Sequence, residues 1–426
     1  MNRLKVLMSA YTCMPGKGSE YGVGWNTARY MAEHHDVWVL TREDNRGPIE
    51  ARLRETPVPG LHFAYFDLPY WARWWKRGTR GLQLYYYLWQ IAVYREARRL
   101  HRTVNFDVVH HTAVGKYWAP SFLFRLPPPF VWGPVGGGES APRAFLKTYG
   151  ARGVAYELAR DVARWLGEHD PFVRMTARES ALALSATPDT CARQSALGAD
   201  CVEQSVGHTG LSESEVRKIG ALDAPEDDGL RVLSVGRLLH WKGIHLGLRA
   251  FARAGLEEAE YWVVGQGPEE RRLRRLARDL GIRDRVVFWG RLPREAVLAK
   301  VGACDLFVHP SLHDFFPTVC LEAMAAGKPI VCLDLGGPAV QVTSETGVKV
   351  PAHDPKQTVA ALADAVDLLG RDHRLRARMG KAARQRVKRY TWERRVETLA
   401  QRYEDLVSFS RGTRTVDRHI PAGPAS

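Results

Sequence analysis

Short apolar runs recur along this chain, each followed by a glycine-rich or polar loop and then by a stretch whose apolar positions return at helical spacing. Residues 4–10 (LKVLMSA), 37–41, 106–110 (FDVVH), the start of 130–139 (FVWGPVGGGE), 182–187, 230–235, 261–267, 286–290, 303–309 and 330–333 carry the runs. Their length and continuous hydrophobicity suit parallel strands buried on both faces. Between them, 152–178, 318–326, 357–369 and 375–388 read as helices, and a terminal helix from Tyr390 places Trp392, Val396, Leu399 and Tyr403 on one side. Strand and helix alternate in each half without a solenoid-like repeat, which predicts an α/β fold. At 426 residues the chain exceeds one ordinary core, and two domains are expected.

Candidate chemistry concentrates in 309–338, which reads as strand, loop, helix, strand, loop. Gly327 closes the helix and Pro329 prevents its continuation. A ligand here would lie outside the carboxyl ends of parallel strands, where open α/β sheets bind. Asp314 falls in the loop before the helix and Glu322 eight positions on (322 − 314), inside it. Each carboxylate can accept from a sugar hydroxyl, and free backbone N–H groups near Phe316, Thr318 and Val319 favour an anion. Carboxylates for hydroxyls and amides for phosphate suit a sugar joined to a diphosphate. Earlier, Arg237 and Lys242 present two cations between a strand and a helix, fit to neutralise a diphosphate leaving group in the role a metal plays elsewhere.

In order and spacing, SLHDFFPTVCLEAMAAGKPIV resembles the C-terminal signature of retaining glycosyltransferases of family 4 (glycosyl transferases group 1), with VGRL and the later KG adding to the match. In that family two Glu bracket the donor site; here Asp314, one methylene shorter, takes the first place. The resemblance implies the GT-B architecture: two Rossmann-like, doubly wound domains facing a central cleft. It sets an acceptor-binding domain at 1–207, a linker at 208–229, a donor-binding domain at 230–388 and a helix at 389–410 that crosses back to the first domain. Residues 411–426 read as a disordered tail.

The same resemblance assigns roles. Arg237 and Lys242 meet the donor phosphates, Glu322 holds the ribose, Asp314 with the backbone of Phe316, Thr318 and Val319 positions the sugar, and main-chain groups after Gly290, with Arg291, hold the base. Gly18, in the glycine loop after the first strand, approaches the phosphates, with Glu20 and Tyr21 as acceptor contacts. A histidine at the end of 106–110 takes the place of an active-site His. His110 and His111 both qualify, because successive strand side chains alternate faces. No residue stands out as an enzyme nucleophile, which fits the front-face transfer with retention, without metal or cofactor, that the resemblance implies.

Charge widens the range of partners. A net charge of +14 and a pI near 9.6 would answer to nucleic acid, an anionic membrane or phosphorylated substrates. No zinc-finger spacing or RNA-recognition signature appears, so no nucleic acid is expected. Residues 71–102 mix Trp71, Trp74, Trp75, Tyr85, Tyr86, Tyr87 and Trp89 with Arg73, Lys76, Arg77 and Arg80. That composition suits either peripheral contact with anionic lipid or a helix packed on its own domain with an Arg-rich outer face. The six cysteines lack CxxC or His spacing, which argues against disulfides or structural zinc. No run is long enough to span a bilayer and the N-terminus enters a strand directly, so a cytoplasmic protein, peripheral at most on the inner face of the membrane, is expected. The expected partners are a nucleotide sugar and a glycan or lipid-linked acceptor. Rival readings are a nucleotide-sugar epimerase or phosphorylase on the same fold, and a degenerate binding protein.

Overall fold

The computed structural model describes residues 3–76, 81–112, 115–200, 202–204, 207–222 and 229–417. The first half forms a seven-stranded parallel sheet of β1 (Lys5–Ser9), β2 (Asp36–Thr41), β3 (Leu61–Tyr65), β4 (Val108–His111), β5 (Phe130–Val135), β6 (Leu182–Ser185) and β7 (Val202–Gln204), in the order β3-β2-β1-β4-β5-β6-β7. The second forms a six-stranded parallel sheet of β8 (Arg231–Val235), β9 (Glu260–Val264), β10 (Val286–Gly290), β11 (Leu306–His309), β12 (Ile330–Leu333) and β13 (Gly347–Val350), in the order β10-β9-β8-β11-β12-β13. These are the two doubly wound domains of the GT-B architecture. Helices cover both faces, so β4, β5, β6, β11 and β12 are buried at every position, which is why they read as unbroken apolar runs. Each sheet reverses its strand order once, between β1 and β4 and between β8 and β11. Those switch points open the crevices in which such sheets hold ligands.

The halves trade segments. Phe145 and Tyr149 come from the first half but pack into the core of the second with Leu246, Phe251 and Leu362. In return, the terminal helix Trp392–Asp417 packs Trp392, Val396, Leu399 and Tyr403 against Val6, Val23 and Met31 of the first. The crossing is pinned at its start by reciprocal backbone bonds between Leu211 and the 390–392 segment, and by Arg395 Nε donating to Gly207 O at 2.9 Å.

Several expectations change. The stretch read as a linker contains the helix Glu213–Gly220, opened by a capping box between Ser212 and Glu215 that stands in the sequence as SESE. The terminal helix runs on to Asp417, into the segment read as a tail, since one glycine at 412 costs a helix only about 1 kcal/mol; 418–426 lie outside the described residues. Gly336 and Gly337 open a short helix, Gly336–Gln341. The aromatic stretch divides. Tyr85, Tyr86 and Trp89 are core residues of the helix Leu82–Val104, whereas Tyr70, Trp71 and Trp74 are 77%, 76% and 64% exposed. Arg77 and Arg80 lie outside the described residues.

Candidate functional site

The carboxyl ends of β8 and β11 carry the two loops that matter most. After β8, Gly236 turns the chain away and the turn His240–Lys242 folds back, ending at Gly243, whose φ of +66° lies where only glycine is comfortable. A Cβ at Gly243 would sit 1.8 Å from Pro310 O, so the two loops touch backbone to backbone. Leu312 N donates to Trp241 O at 2.8 Å across the same contact. The result brings Lys242 Nζ onto the Asp314 carboxylate, which also accepts from His309 Nε2 at 2.9 Å. Burial alone would raise the Asp314 carboxyl. The Lys242 charge and the His309 hydrogen bond outweigh it and hold the group well below the usual carboxylate range. Lys242, expected on phosphate, and Asp314, expected on sugar, therefore neutralise one another in this structure.

Arg237 does not join that pair. It stands exposed on the wall of a 740 Å³ cavity shared with Gly236, Gly265, Gln266, Gly267 and Arg291, at the ends of β8, β9 and β10. Gly290, with φ of +67°, makes the turn into this wall and accepts from Gly265 N at 2.8 Å. Three residues past Arg291, Arg294 Nη2 reaches Glu322 at 3.1 Å and Glu215 at 2.8 Å. Glu322 is buried in the helix Thr318–Ala325, and burial pushes its carboxyl up to about 7; Arg294 pulls the other way and Glu215 reinforces the rise. No side chain caps that helix, whose N-cap is Pro317, so the first amides at Thr318 and Val319 keep their anion-binding character. Phe316 is buried against Tyr390 and contributes backbone alone. Among the described residues, no group of three or more His, Cys, Asp or Glu side chains is placed to hold a metal ion. Two larger grooves, of 1020 and 1080 Å³, lie between helices, away from the strand ends.

A second cluster went unseen in the sequence. The helix Ala151–His169 of the first domain sends Glu157 into the second, where one oxygen, Oε1, accepts from His240 Nε2 and His313 Nε2, each at 2.9 Å. Those histidines stand immediately before Trp241–Lys242 and Asp314. Trp241 lies nearly parallel between Tyr156, at 4.9 Å, and His313, at 5.2 Å, so the same helix also stacks on the loop. Burial would raise the Glu157 carboxyl, but hydrogen bonds from His240 and His313, with the charges of His313 and Arg160, bring it down to about 2. One helix of the first domain thus clamps both loops, the one after β8 and the one after β11.

In the acceptor half the outcome is mixed. Gly18 caps the helix Ser19–Met31, and a Cβ there would meet nothing within 4 Å. The packing need falls instead on Gly22 and Gly24, whose Cβ atoms would strike Lys17 O and Thr12 O at 2.4 and 2.1 Å. Glu20 faces the interdomain side, 3.4 Å from Gly115 N and 3.7 Å from His208 Nε2. Tyr21 is half-buried beneath the Lys17 ammonium. His110 is fully buried, with Nε2 on Gly133 O and Nδ1 accepting from Tyr403 Oη at 2.6 Å. Both nitrogens are engaged within the first domain and its covering helix, and burial lowers it to about 3. His111 points to the opposite face, with Nε2 3.1 Å from Tyr86 Oη and Nδ1 unpartnered; burial lowers it to about 4. The glycine run is explained by close neighbours. Phe315 of the donor loop fills the space a Cβ on Gly136 would need, and Trp118 and Thr190 do so at Gly137 and Gly138.

With this geometry in view, comparison with known proteins is informative. Residues 221–386 match the family of glycosyl transferases group 1. The chain is 32% identical over 296 residues to the 2-deoxystreptamine N-acetyl-D-glucosaminyltransferase of Streptomyces fradiae, covering 65% of this chain and 67% of that protein. It is 31% identical over 226 residues to a D-inositol 3-phosphate glycosyltransferase of Acidothermus cellulolyticus, spanning 50% of this chain and only 48% of the relative. Among solved structures, sucrose-phosphate synthase from Thermosynechococcus elongatus superposes with a TM-score of 0.66 at 19% identity, over 95% of this chain and all of that one. Anabaena HepE in complex with UDP and glucose does so with 0.57, also at 19%, over 95% and 100%. These two likenesses concern the fold.

Proposed function

Because this chain belongs to the glycosyl transferases group 1 family, and so is a glycosyltransferase, we propose that it moves a sugar from a nucleotide-diphosphate donor to a glycan or lipid-linked acceptor as a retaining, metal-independent family 4 enzyme. The observation that carries this reading is the grouping at the β8–β11 switch point: a half-buried Lys242–Asp314 pair, an uncapped helix start beside it, and Glu322 with its carboxyl raised to about 7. A diphosphate entering here competes with Asp314 for the Lys242 ammonium. Arg237 on the cavity wall supplies a second charge, and the amides at Thr318 and Val319 a third set of donors. Asp314, released in part, then turns an acceptor oxygen toward a sugar hydroxyl. Glu322 accepts from the ribose, and the turn at Gly290–Arg291 offers main-chain groups to the base.

On the other side of the cleft His111 remains the histidine candidate, with Glu20 and Tyr21 as acceptor contacts. No side chain is assigned as nucleophile; a donor phosphate oxygen takes the acceptor proton on the same face that the leaving group vacates, which retains configuration. The names of the two sequence relatives set small cyclitol acceptors beside lipid-linked ones. A melting-shift screen against nucleotide sugars, with and without chelator, identifies the donor. Nucleotide-diphosphate release is then followed with glycan, lipid-linked and cyclitol acceptors, and the product anomer is read by NMR. Epimerised sugar from donor alone, or an inverted product, would overturn the reading.

A further inference from the structure

The structure adds a surface to the exposed aromatics of the 70–76 segment. The helix Ala151–His169 turns Gly153, Glu157 and Arg164 inward, while Leu158, Val162, Trp165 and Leu166 share the opposite face and are 56 to 58% exposed. At its end the chain turns through Asp170 into the helix Pro171–Arg178, which exposes Phe172 and Met175. Single exposed apolar residues need no explanation, but a contiguous set does.

This corner joins the 70–76 segment through the helix Leu82–Val104. Trp75 rests on Tyr85, and Leu84 is exposed on the first turn of that helix. One turn on, Tyr87 donates to Asp170 at 2.9 Å and stands against Phe122, which stands against Phe172. This chain of contacts joins the segment that exposes Trp71 and Trp74, through the helix that exposes Leu84, to the corner that exposes Phe172, Trp165 and Leu166.

Charge indicates what covers it. Farther along the Leu82–Val104 helix the outer stripe passes from Leu84 and Ile91 to Arg95 and Arg98, all exposed, and Arg125 and Arg174 stand exposed beside it. Among the nearby carboxylates, Asp67 is engaged by Tyr85 and Arg73, Glu168 by Tyr117 and Arg193, and Asp170 by Tyr87 and its own helix start, while Asp161, 63% exposed beside Val162, stands 3.7 Å from Arg164. Tryptophan and tyrosine at the level of an apolar patch, with arginines around them on a chain of net charge +14, complement headgroup and anionic phosphate together.

We propose that this two-part face of the acceptor domain, the 70–76 aromatics together with the 158–175 corner, docks on an anionic lipid bilayer. It deepens the reading of a membrane-borne acceptor and rests on it for its purpose: Tyr156 and Glu157, on the same helix, touch the donor loops, so the face sits at the edge of the cleft.

The test uses the full chain and sedimentation with vesicles of phosphatidylcholine alone or mixed equally with phosphatidylglycerol, without any sugar donor. Binding is expected to the mixed vesicles at low salt, weakened at high salt and near background on phosphatidylcholine alone. Trp71→Ser with Trp74→Ser, and separately Trp165→Ser with Leu166→Ser, should each lower affinity by about tenfold or more while melting as wild type does. No sedimentation at low salt overturns the proposal, as does equal binding to both vesicles. A corner variant that binds like wild type overturns the two-part face. A concentration-dependent dimer in sedimentation velocity, abolished by the Trp165→Ser and Leu166→Ser pair, would assign the face to a second copy instead. Transfer to a soluble acceptor is measured apart from vesicles, so failure of the enzymatic reading and failure of docking are separately visible.

Discussion

The seam at Glu157 and the helix Thr318–Ala325 at Glu322 each bury one carboxylate, and they treat it in opposite ways. At the seam, two imidazole N–H groups converge on one oxygen and Arg160 stands 3.8 Å from the other, so the charge is welcome and the carboxyl falls to about 2. In the helix Thr318–Ala325, Glu322 has Arg294 at 3.1 Å, but that guanidinium is shared with Glu215 and is half exposed, so burial prevails and the carboxyl rises to about 7. A carboxylate with its full complement of donors holds structure together. One left short of donors is waiting for a ligand to supply them. The Lys242–Asp314 pair lies between these cases: satisfied within the protein, yet by the cation that the proposed leaving group requires.

The largest effect should come from that intermediate pair. Lys242→Ala is expected to lower turnover by about 10²- to 10³-fold, the loss typical when a donor to developing transition-state charge is removed. Nucleotide-diphosphate release at saturating donor measures it. Unchanged turnover would place Lys242 with the seam, as a structural partner of Asp314.

Next is the seam itself. Glu157→Gln removes a group whose folded carboxyl lies near 2 against an ordinary 4.5, which amounts to about 3 kcal/mol at neutral pH. The sign follows from the depressed folded value. This stability is fully present above pH 4.5 and is lost as pH falls toward 2. Urea unfolding of wild type and variant at a series of pH values should show a gap near pH 7 that narrows steadily below 4.5. A constant gap would mean that the charge on Glu157 is not what holds the loops.

These two sites were unequally legible. Asp314, Thr318, Val319 and Glu322 lie within one strand-loop-helix unit, so they could be set near one another from local spacing. Glu157 is 83 residues from His240 and 156 from His313, and no periodicity links a glutamate on an amphipathic helix to histidines in another domain. The same distance defeated the choice between His110 and His111. Strand alternation put them on opposite faces, but that one face is closed by Tyr403, 293 residues on, is a tertiary fact. The glycine run could be read as a close approach, not as an approach by Phe315. β3, β7 and β13 went unread because each lies at a sheet edge and interrupts its apolar run with polar residues.

Glu322→Gln sharpens the contrast by acting in the opposite direction. A carboxyl raised to about 7 destabilises the fold once it must ionise: the penalty is absent below pH 4.5, grows from 4.5 to 7 and is constant above. The amide variant should therefore be more stable than wild type at pH 8, by about 3 kcal/mol, with the gain vanishing toward pH 4.5. Affinity for the donor nucleotide, measured by calorimetry, should fall about tenfold as a ribose acceptor is weakened. Stability gained without loss of affinity would remove Glu322 from the donor site.

The smallest change tests the acceptor half. His111 is buried on the face toward the Leu82–Val104 helix, where Tyr86 Oη is its one hydrogen-bond partner at Nε2. Tyr86→Phe deletes that partner with little change in shape, and a single buried neutral hydrogen bond is worth about 1 kcal/mol net. The expected result is a loss of that size in urea unfolding near pH 7. Because burial keeps His111 neutral down to about pH 4, the pH–rate profile above pH 5 should keep its shape, while turnover falls if the imidazole needs Tyr86 to hold its ring toward the cleft. A drop in turnover well beyond the stability loss, with an unmoved profile, marks His111 as a neutral group oriented for the acceptor. Loss of stability with unchanged turnover places it beside His110, as part of the packing of the first domain.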